Sequence, residues 1–156
     1  MSALLKPVEN CEAQREFVTF SVMDQLFGIP VLQVREVLHA PSIAPIPLAP
    51  PEIAGSINLR GRIVTAVDVR RRLNLPPAKD AGMSIVVDHH GELYSLIIDR
   101  AGDVISLKAE DCEDNPATLD PQWQEVASGI YSLENTLLVV LDTSRLLRLA
   151  RPTEIN

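Results

Sequence analysis

The chain contains an internal repeat, and this repeat limits what the chain can fold into more than any other feature does. Shifted by 74 residues, the segment GSINLRGRIVTAVDVRRRL, which begins at Gly55, aligns with GIYSLENTLLVVLDTSRLL, which begins at Gly129. A shift of 67 aligns the earlier hairpin and Val37 with a later hairpin and Val104, and the seven-residue difference matches an acidic insertion after Leu107. A repeat of this kind indicates two similar structural units.

Short aliphatic and β-branched runs separated by turn signals predict that both units are built from strands. Each repeat has the pattern of a hairpin, a short connecting segment, a second hairpin and a helical turn. We therefore expect an all-β protein in which two small barrels of about five strands each pack into one unit. The predicted strands are residues 17–23, 26–31, 55–59, 63–67, 84–87, 93–98, 104–107, 128–133 and 136–141.

The segments between these strands are less regular. Residues 31–38 have the spacing of a short helix or an irregular strand, and residues 69–73 that of one helical turn. Five prolines in residues 41–51 predict a loop or an extended edge, and residues 108–122 predict an acidic loop. A terminal helix is expected over residues 144–149, capped by Thr143. We expect one domain over residues 16–149 with a junction near residues 76–83, between tails at 1–15 and 150–156.

Composition and charge exclude several classes of function. With 46% apolar residues in 156, the chain can bury a core without a disulfide or a metal ion. Its longest uninterrupted aliphatic run, Leu137–Leu141, is far too short to cross a membrane, and its first residues do not resemble a signal peptide. The net charge of −7 argues against nucleic acid as a partner. A barrel that binds a small ligand or nucleic acid remains as a minor alternative.

Catalytic and metal-binding patterns are absent from the sequence. No phosphate-binding glycine loop, nucleophile elbow or zinc-helix motif occurs. His89 and His90 lie in a polar turn, where adjacent side chains diverge, and Cys112 lies in an acidic loop that disfavours a thiolate. The sequence therefore predicts a protein that is not an enzyme and needs no cofactor or metal.

The charged residues are unevenly distributed along the chain. Residues 52–79 carry six basic and two acidic side chains, whereas residues 103–125 carry seven acidic side chains and a single lysine. Two solvated faces would account for this pattern, and so would a polarised surface that orients a protein partner.

The densest candidate site is the segment from Pro51 to Val64. Gly55 and Gly61 supply backbone freedom, and Asn58 and Arg60 flank Leu59, so that in a strand they share the face opposite it. An arginine there can form a forked contact with a carboxylate. The alternative is a hairpin whose polar face meets only water.

These residues resemble a known family. The blocks FGIPVLQVREVL and PIPLAPPEIAGSINLRGRIVTAVDVRRRL are similar to the CheW-type bacterial chemotaxis coupling proteins, and the resemblance extends over residues 16–147. The segment I-x-G-x-x-N-L-R-G-x-I-V-x-x-x-D is highly specific. Ser56 and the pair Thr65-Ala66 depart from the usual residues, at positions that concern packing.

The resemblance implies a non-catalytic scaffold made of two SH3-like β-barrel subdomains. Such a scaffold is cytoplasmic and recruited to membrane-associated arrays, where it joins the tips of methyl-accepting chemoreceptors to a CheA-type histidine kinase. An adaptor for a chemosensory pathway that does not control motility shares every one of these residues. The implied receptor-binding residues are Val34, Glu36, Gly55, Asn58 and Arg60, and the candidate kinase-binding residues are Ile43 and Ile46. Arg60 is expected either to pair with Glu36 or to meet a receptor carboxylate.

Overall fold

A computed structural model of the chain describes residues 14–39, 41–78, 82–113 and 121–148, and it confirms the all-β class. Within these residues, ten strands are accompanied by three helices of six residues or fewer: α1 (Val69–Arg72), α2 (Pro121–Gln124) and α3 (Thr143–Arg148). The strands are β1 (Gln14–Val22), β2 (Gln25–Pro30), β3 (Val34–His39), β4 (Ile53–Leu59), β5 (Arg62–Asp68), β6 (Met83–His89), β7 (Glu92–Ile98), β8 (Arg100–Lys108), β9 (Ala127–Ser132) and β10 (Leu137–Leu141).

The ten strands form two five-stranded sheets that exchange hairpins between the repeats. Sheet I has the order β8-β1-β2-β10-β9, and sheet II has the order β3-β6-β7-β5-β4. The first hairpin of each repeat thus lies between strands of the other repeat, and β2 pairs with β10 in parallel as β7 does with β5. The expected junction at residues 76–83 is therefore wrong as a boundary between barrels, because β6 and β7 complete the sheet that β3–β5 begin.

The two sheets share the same pairing register. Val37 lies opposite Ile85 in sheet II, and their counterparts 67 residues away, Val104 and Val18, lie opposite each other in sheet I. The register irregularity in β4 between Ile53 and Gly55 has its counterpart at the start of β9. The sequence repeat is thus a structural repeat.

Both sheets close through a short bridge between their edge strands. In sheet II, Ala44 and Ser56 exchange two backbone hydrogen bonds of 2.8 Å, which joins the segment after β3 to β4. In sheet I, Glu113 and Ile130 do the same at 2.8 and 2.9 Å, which joins the segment after β8 to β9. Each sheet therefore curls towards a barrel.

One hydrophobic core joins the two sheets. Its buried side chains come from β1, β2, β9 and β10 of sheet I and from β5, β6 and β7 of sheet II. Three leucines in or just after the short helices complete it: Leu73, Leu146 and Leu147. Other buried side chains lie outside this shared core, and their size differs between the two sheets. Phe17 and Tyr131 pack together in sheet I, whereas the smaller residues Ser84 and Ile57 occupy the equivalent positions in sheet II. The shared core expected from the repeat is present.

Several local expectations are corrected by the structure. Of the two alternatives for residues 31–38, the helix is wrong and the irregular strand is correct: a 3₁₀ turn (Val31–Gln33) leads into β3, whose pairing with β6 is irregular between Val34 and Glu36. The cap of α3 is the Asp142 carboxylate, which accepts from the amides of Ser144 and Arg145, rather than Thr143, whose hydroxyl donates to Gln33. The acidic loop contains a 3₁₀ turn (Ala109–Asp111) and α2.

The predicted ends of the domain are only partly within the described residues. The strand β1 begins at Gln14, two residues before the expected start of the domain. The rest of the N-terminal tail, the C-terminal tail and residues 114–120 of the acidic loop lie outside the described residues.

Candidate functional site

The Arg60–Glu36 ion pair lies at one end of sheet II. The Arg60 guanidinium contacts the Glu36 carboxylate twice, with Nη1 to Oε1 at 2.8 Å and Nη2 to Oε2 at 3.2 Å. Arg60 is 74% exposed and Glu36 25% exposed, so the pair is open to a partner. Because Glu36 is on β3 and Arg60 joins β4 to β5, the pair links the two edges of the sheet at the same seam as the Ala44–Ser56 bridge. The expected pairing is therefore present.

Arg60 is a turn residue rather than a strand residue, which corrects the prediction that it shares a strand face with Asn58. Arg60 and Gly61 have φ values of +53° and +88°, as required by the two-residue turn that suits twisted hairpins. The Asn58 carboxamide oxygen accepts from the Gly61 amide at 2.9 Å and stabilises the turn. Asn58 thus holds the loop that presents Arg60.

Val34 and Gly55 do not lie on the exposed surface beside this pair. Val34 is on β3, half-buried against the shared core. Gly55 is buried with φ +150°, and a Cβ there would overlap the Ala44 carbonyl oxygen. Any effect of these two residues on a partner would therefore be indirect, through the strands that carry Glu36 and Asn58.

A groove of about 420 Å³ lies beside the Arg60–Glu36 pair and contains a second ion pair. Arg35 on β3 donates to the Asp88 carboxylate at 2.6 Å, and Asp88 also accepts from the Gly91 amide at 2.9 Å. These two hydrogen bonds, with that from Arg35 the stronger, hold the pKa of Asp88 below its ordinary value. A third arginine, Arg62, and two apolar side chains, Leu59 and Leu93, also line the groove.

Sequence reasoning missed the part of this groove that lies on β6 and β7. The sequence contains a signal for this part: both hairpins have an Asp or Asn three positions before a turn glycine. The two segments are Asp88-His89-His90-Gly91 and Asn58-Leu59-Arg60-Gly61. Both turns have positive φ at their two central residues, and in both the Asx side chain accepts from the glycine amide. Without the topology, however, the sequence does not show that these hairpin tips lie at one end of one sheet.

The two candidate kinase-binding residues lie in the Pro-rich segment, in different environments. Ile43 is half-buried against β4, where its Cγ2 would lie 2.8 Å from a Cβ at Gly55. Ile46 is 41% exposed and available to a partner. A charge at Ile43 would therefore disturb the seam itself, so Ile46 is the better probe of this surface.

Comparison with known proteins agrees with this architecture and defines the class as a chemotaxis adaptor. The chain belongs to the CheW-like family, whose CheW-like domain model matches residues 16–151. The Chemotaxis protein CheW of Treponema pallidum is 27% identical over 146 residues, covering 90% of this chain and 86% of that protein. The Bacillus subtilis protein of the same name is 29% identical, covering 85% and 86%.

A solved structure supports the fold directly. The scaffolding protein TtCheW from Thermoanaerobacter tengcongensis superposes with a TM-score of 0.74 at 28% identity, covering 82% of this chain and 88% of that one. A more divergent relative, Protein PilI of Pseudomonas aeruginosa, is 25% identical and covers 78% of this chain and 70% of its own length. Within the described part of the chain, no helix has the length and apolar character needed to cross a membrane.

Proposed function

We propose that the protein is a non-catalytic scaffold that couples chemoreceptors to a CheA-type histidine kinase. It binds the cytoplasmic tips of methyl-accepting receptors and the regulatory domain of the kinase, and it is recruited from the cytoplasm to receptor arrays. The observation that carries this proposal is family membership over residues 16–151, combined with an exposed, structurally supported ion pair at the family's most specific motif.

The receptor-binding surface in this proposal is the end of sheet II that carries Glu36, Asn58 and Arg60. An amphipathic helical hairpin can lay an apolar face along the half-buried leucines of the groove while charged pairs set its register. Val34 and Gly55 contribute by keeping β3 and β4 in place. The kinase contacts the Pro-rich segment, with Ile46 as an exposed apolar contact. Ile43, which packs against Gly55 of β4, holds the segment on the sheet.

Co-sedimentation tests this function. Membranes that contain receptors should retain the kinase only when the protein is added, whereas the protein should bind each partner when the other is absent. Retention of the kinase without the protein, or binding of only one partner, would contradict the coupling function.

A second candidate is an adaptor of a chemosensory pathway that does not control motility. The similarity to Protein PilI, whose name is not that of a chemotaxis protein, is the observation that favours it. Both candidates use the same surfaces, so a motility assay of a deletion strain, with a chemosensory output other than motility measured in parallel, separates them.

A further inference from the structure

The groove at the end of sheet II contains one arginine, Arg62, that has no carboxylate partner among the described residues. Arg35 and Arg60 are each paired with a carboxylate, whereas Arg62 makes no ion pair within the described part of the chain. Arg62 is exposed at the start of β5, next to the Arg60–Gly61 turn, and its charge acts on Asp88 across the groove. Its guanidinium donors are therefore available to a partner.

The charge of this groove is opposite to that of the molecule as a whole. Its lining carries three guanidinium groups and two carboxylates, a net charge of +1, on a chain whose net charge is −7. Leu59 and Leu93, both half-buried, supply an apolar surface within the same groove. This combination suits a segment that is apolar on one side and carries a carboxylate.

The internal repeat provides a comparison within one molecule. The equivalent end of sheet I has Thr136 in place of Arg62, Glu134 in place of Arg60 and Gly102 in place of Arg35. The positions equivalent to the groove residues carry three acidic residues and no lysine or arginine, a net charge of −3; the acidic residues are Asp24, Asp103 and Glu134. Two ends built on the same backbone register thus differ mainly in charge.

We propose that Arg62 is a specificity-determining residue that binds a carboxylate of the receptor tip in the groove between the Arg60–Glu36 and Arg35–Asp88 pairs. This inference rests on the proposed receptor-binding function of the same surface. The paired arginines are held in place by their own carboxylates, so they shape the groove, and Arg62 supplies the charge that selects an acidic partner. The acidic end of sheet I repels the same segment, which fixes the orientation of the scaffold on the receptor.

The experiment measures the affinity of a soluble receptor-tip fragment by titration calorimetry. The variants are Arg62→Gln, Arg62→Glu and a matched control, Arg100→Glu, which makes the same change of charge at an exposed arginine of sheet I. We expect about a tenfold loss for Arg62→Gln, a larger loss for Arg62→Glu and no change for Arg100→Glu. The loss should shrink between about 50 mM and about 500 mM salt, because an exposed charge contact is screened.

A second set of fragments identifies the carboxylate. Each acidic residue of the tip is changed singly to its amide and to lysine. One amide variant should bind wild-type protein and Arg62→Gln equally, and the lysine at that position should restore binding to Arg62→Glu. Thermal unfolding of every variant confirms that the exposed substitutions leave the fold intact.

The possible results separate this inference from the function on which it rests. A fragment that binds wild-type protein and Arg62→Glu with equal affinity overturns the inference and leaves the proposed function in place. A loss of the same size in Arg100→Glu also overturns it, because net charge rather than the groove would then control binding. A fragment that does not bind wild-type protein overturns the proposed function and the inference together.

Discussion

Arg72 of the first repeat donates to the backbone carbonyl of Leu146, which is its own equivalent 74 residues later in the second repeat. The distance from Nε to the carbonyl oxygen is 2.8 Å, and Nη2 reaches the Arg145 carbonyl at 3.0 Å. Arg72 is only 8% exposed, and its burial lowers the pKa of the guanidinium. It connects α1 to the last turn of α3, where carbonyl groups lack partners within the helix.

Replacing Arg72 by methionine should therefore destabilise both sheets together. Arg72→Met keeps much of the side-chain volume but leaves the buried Leu146 carbonyl and the partly buried Arg145 carbonyl without their donor, so we expect a loss of about 2–3 kcal/mol in the free energy of unfolding. Because the hairpins are exchanged and the core is shared, calorimetry should show one transition at a lower temperature. Two separate transitions, in wild-type protein or in the variant, would contradict a shared core.

A comparison of two glycines tests the closure of sheet II. Gly55→Ala places a Cβ against the Ala44 carbonyl at a positive φ, so we expect a loss of at least about 2 kcal/mol in stability. Gly61 has φ +88° but open space around it, so Gly61→Ala should cost about 1 kcal/mol, from backbone strain alone. Urea denaturation of both variants provides the measurement, and equal losses would mean that the contact with Ala44 is not rigid.

The hydrogen bonds of the Asp99 carboxylate predict that the stability of the fold depends on pH. The Arg70 guanidinium donates to the two carboxylate oxygens of Asp99 at 2.9 and 2.6 Å, and the Met23 amide donates to one of them at 2.8 Å. These bonds, chiefly those from Arg70, hold the pKa of Asp99 below its ordinary value of 3.8. The native state thus favours the ionised carboxylate. Its stabilising contribution is complete above the ordinary pKa and is lost as the pH falls through the lower native pKa.

Wild-type protein should accordingly be more stable than Asp99→Asn at neutral pH, and the difference should shrink below about pH 4. Urea denaturation of the two proteins between about pH 7 and about pH 3 measures this difference. A gap that stays constant across the range would show that the ionised form of Asp99 is not what stabilises the fold.

The exposed isoleucine of the Pro-rich segment tests the kinase surface. Ile46→Asp introduces a charge that an apolar interface would have to desolvate, so the affinity for the kinase regulatory domain should fall while receptor binding stays the same. Leu32→Asp is a matched control, because Leu32 is a 90% exposed apolar residue outside the Pro-rich segment, and this variant should bind the kinase as wild-type protein does. If Ile46→Asp binds the kinase as tightly as wild-type protein does, the kinase contacts another surface.

Much of the fold could be predicted from the sequence because its signals are local. Turn chemistry and alternating apolar residues located the hairpins, and the repeat showed that the two halves are equivalent. The exchange of hairpins could not be predicted in this way, because the pairing of Leu26 with Leu138 joins strands more than a hundred residues apart. An alignment shows which strands are equivalent, but it does not show which strands are neighbours.

The candidate site was predictable to the same extent. The family resemblance pointed to Arg60 in the motif and to Glu36 in the earlier block, and their pairing is present in the structure. The motif did not show that Gly55 lies behind the Pro-rich segment, which depends on the Ala44–Ser56 bridge. Nor did the resemblance give a role to Arg35 and Asp88, which meet in the groove because sheet II brings β3 and β6 together.

The most direct test of the central claim is the affinity of Arg60→Ala for receptor tip and kinase, measured side by side with wild-type protein and Arg60→Lys. Arg60 is exposed, so Arg60→Ala should remain folded and keep its affinity for the kinase. Its affinity for the receptor tip should fall about thirtyfold, and lysine should restore little of it because lysine lacks the planar fork. A folded Arg60→Ala variant with wild-type receptor affinity would contradict the account.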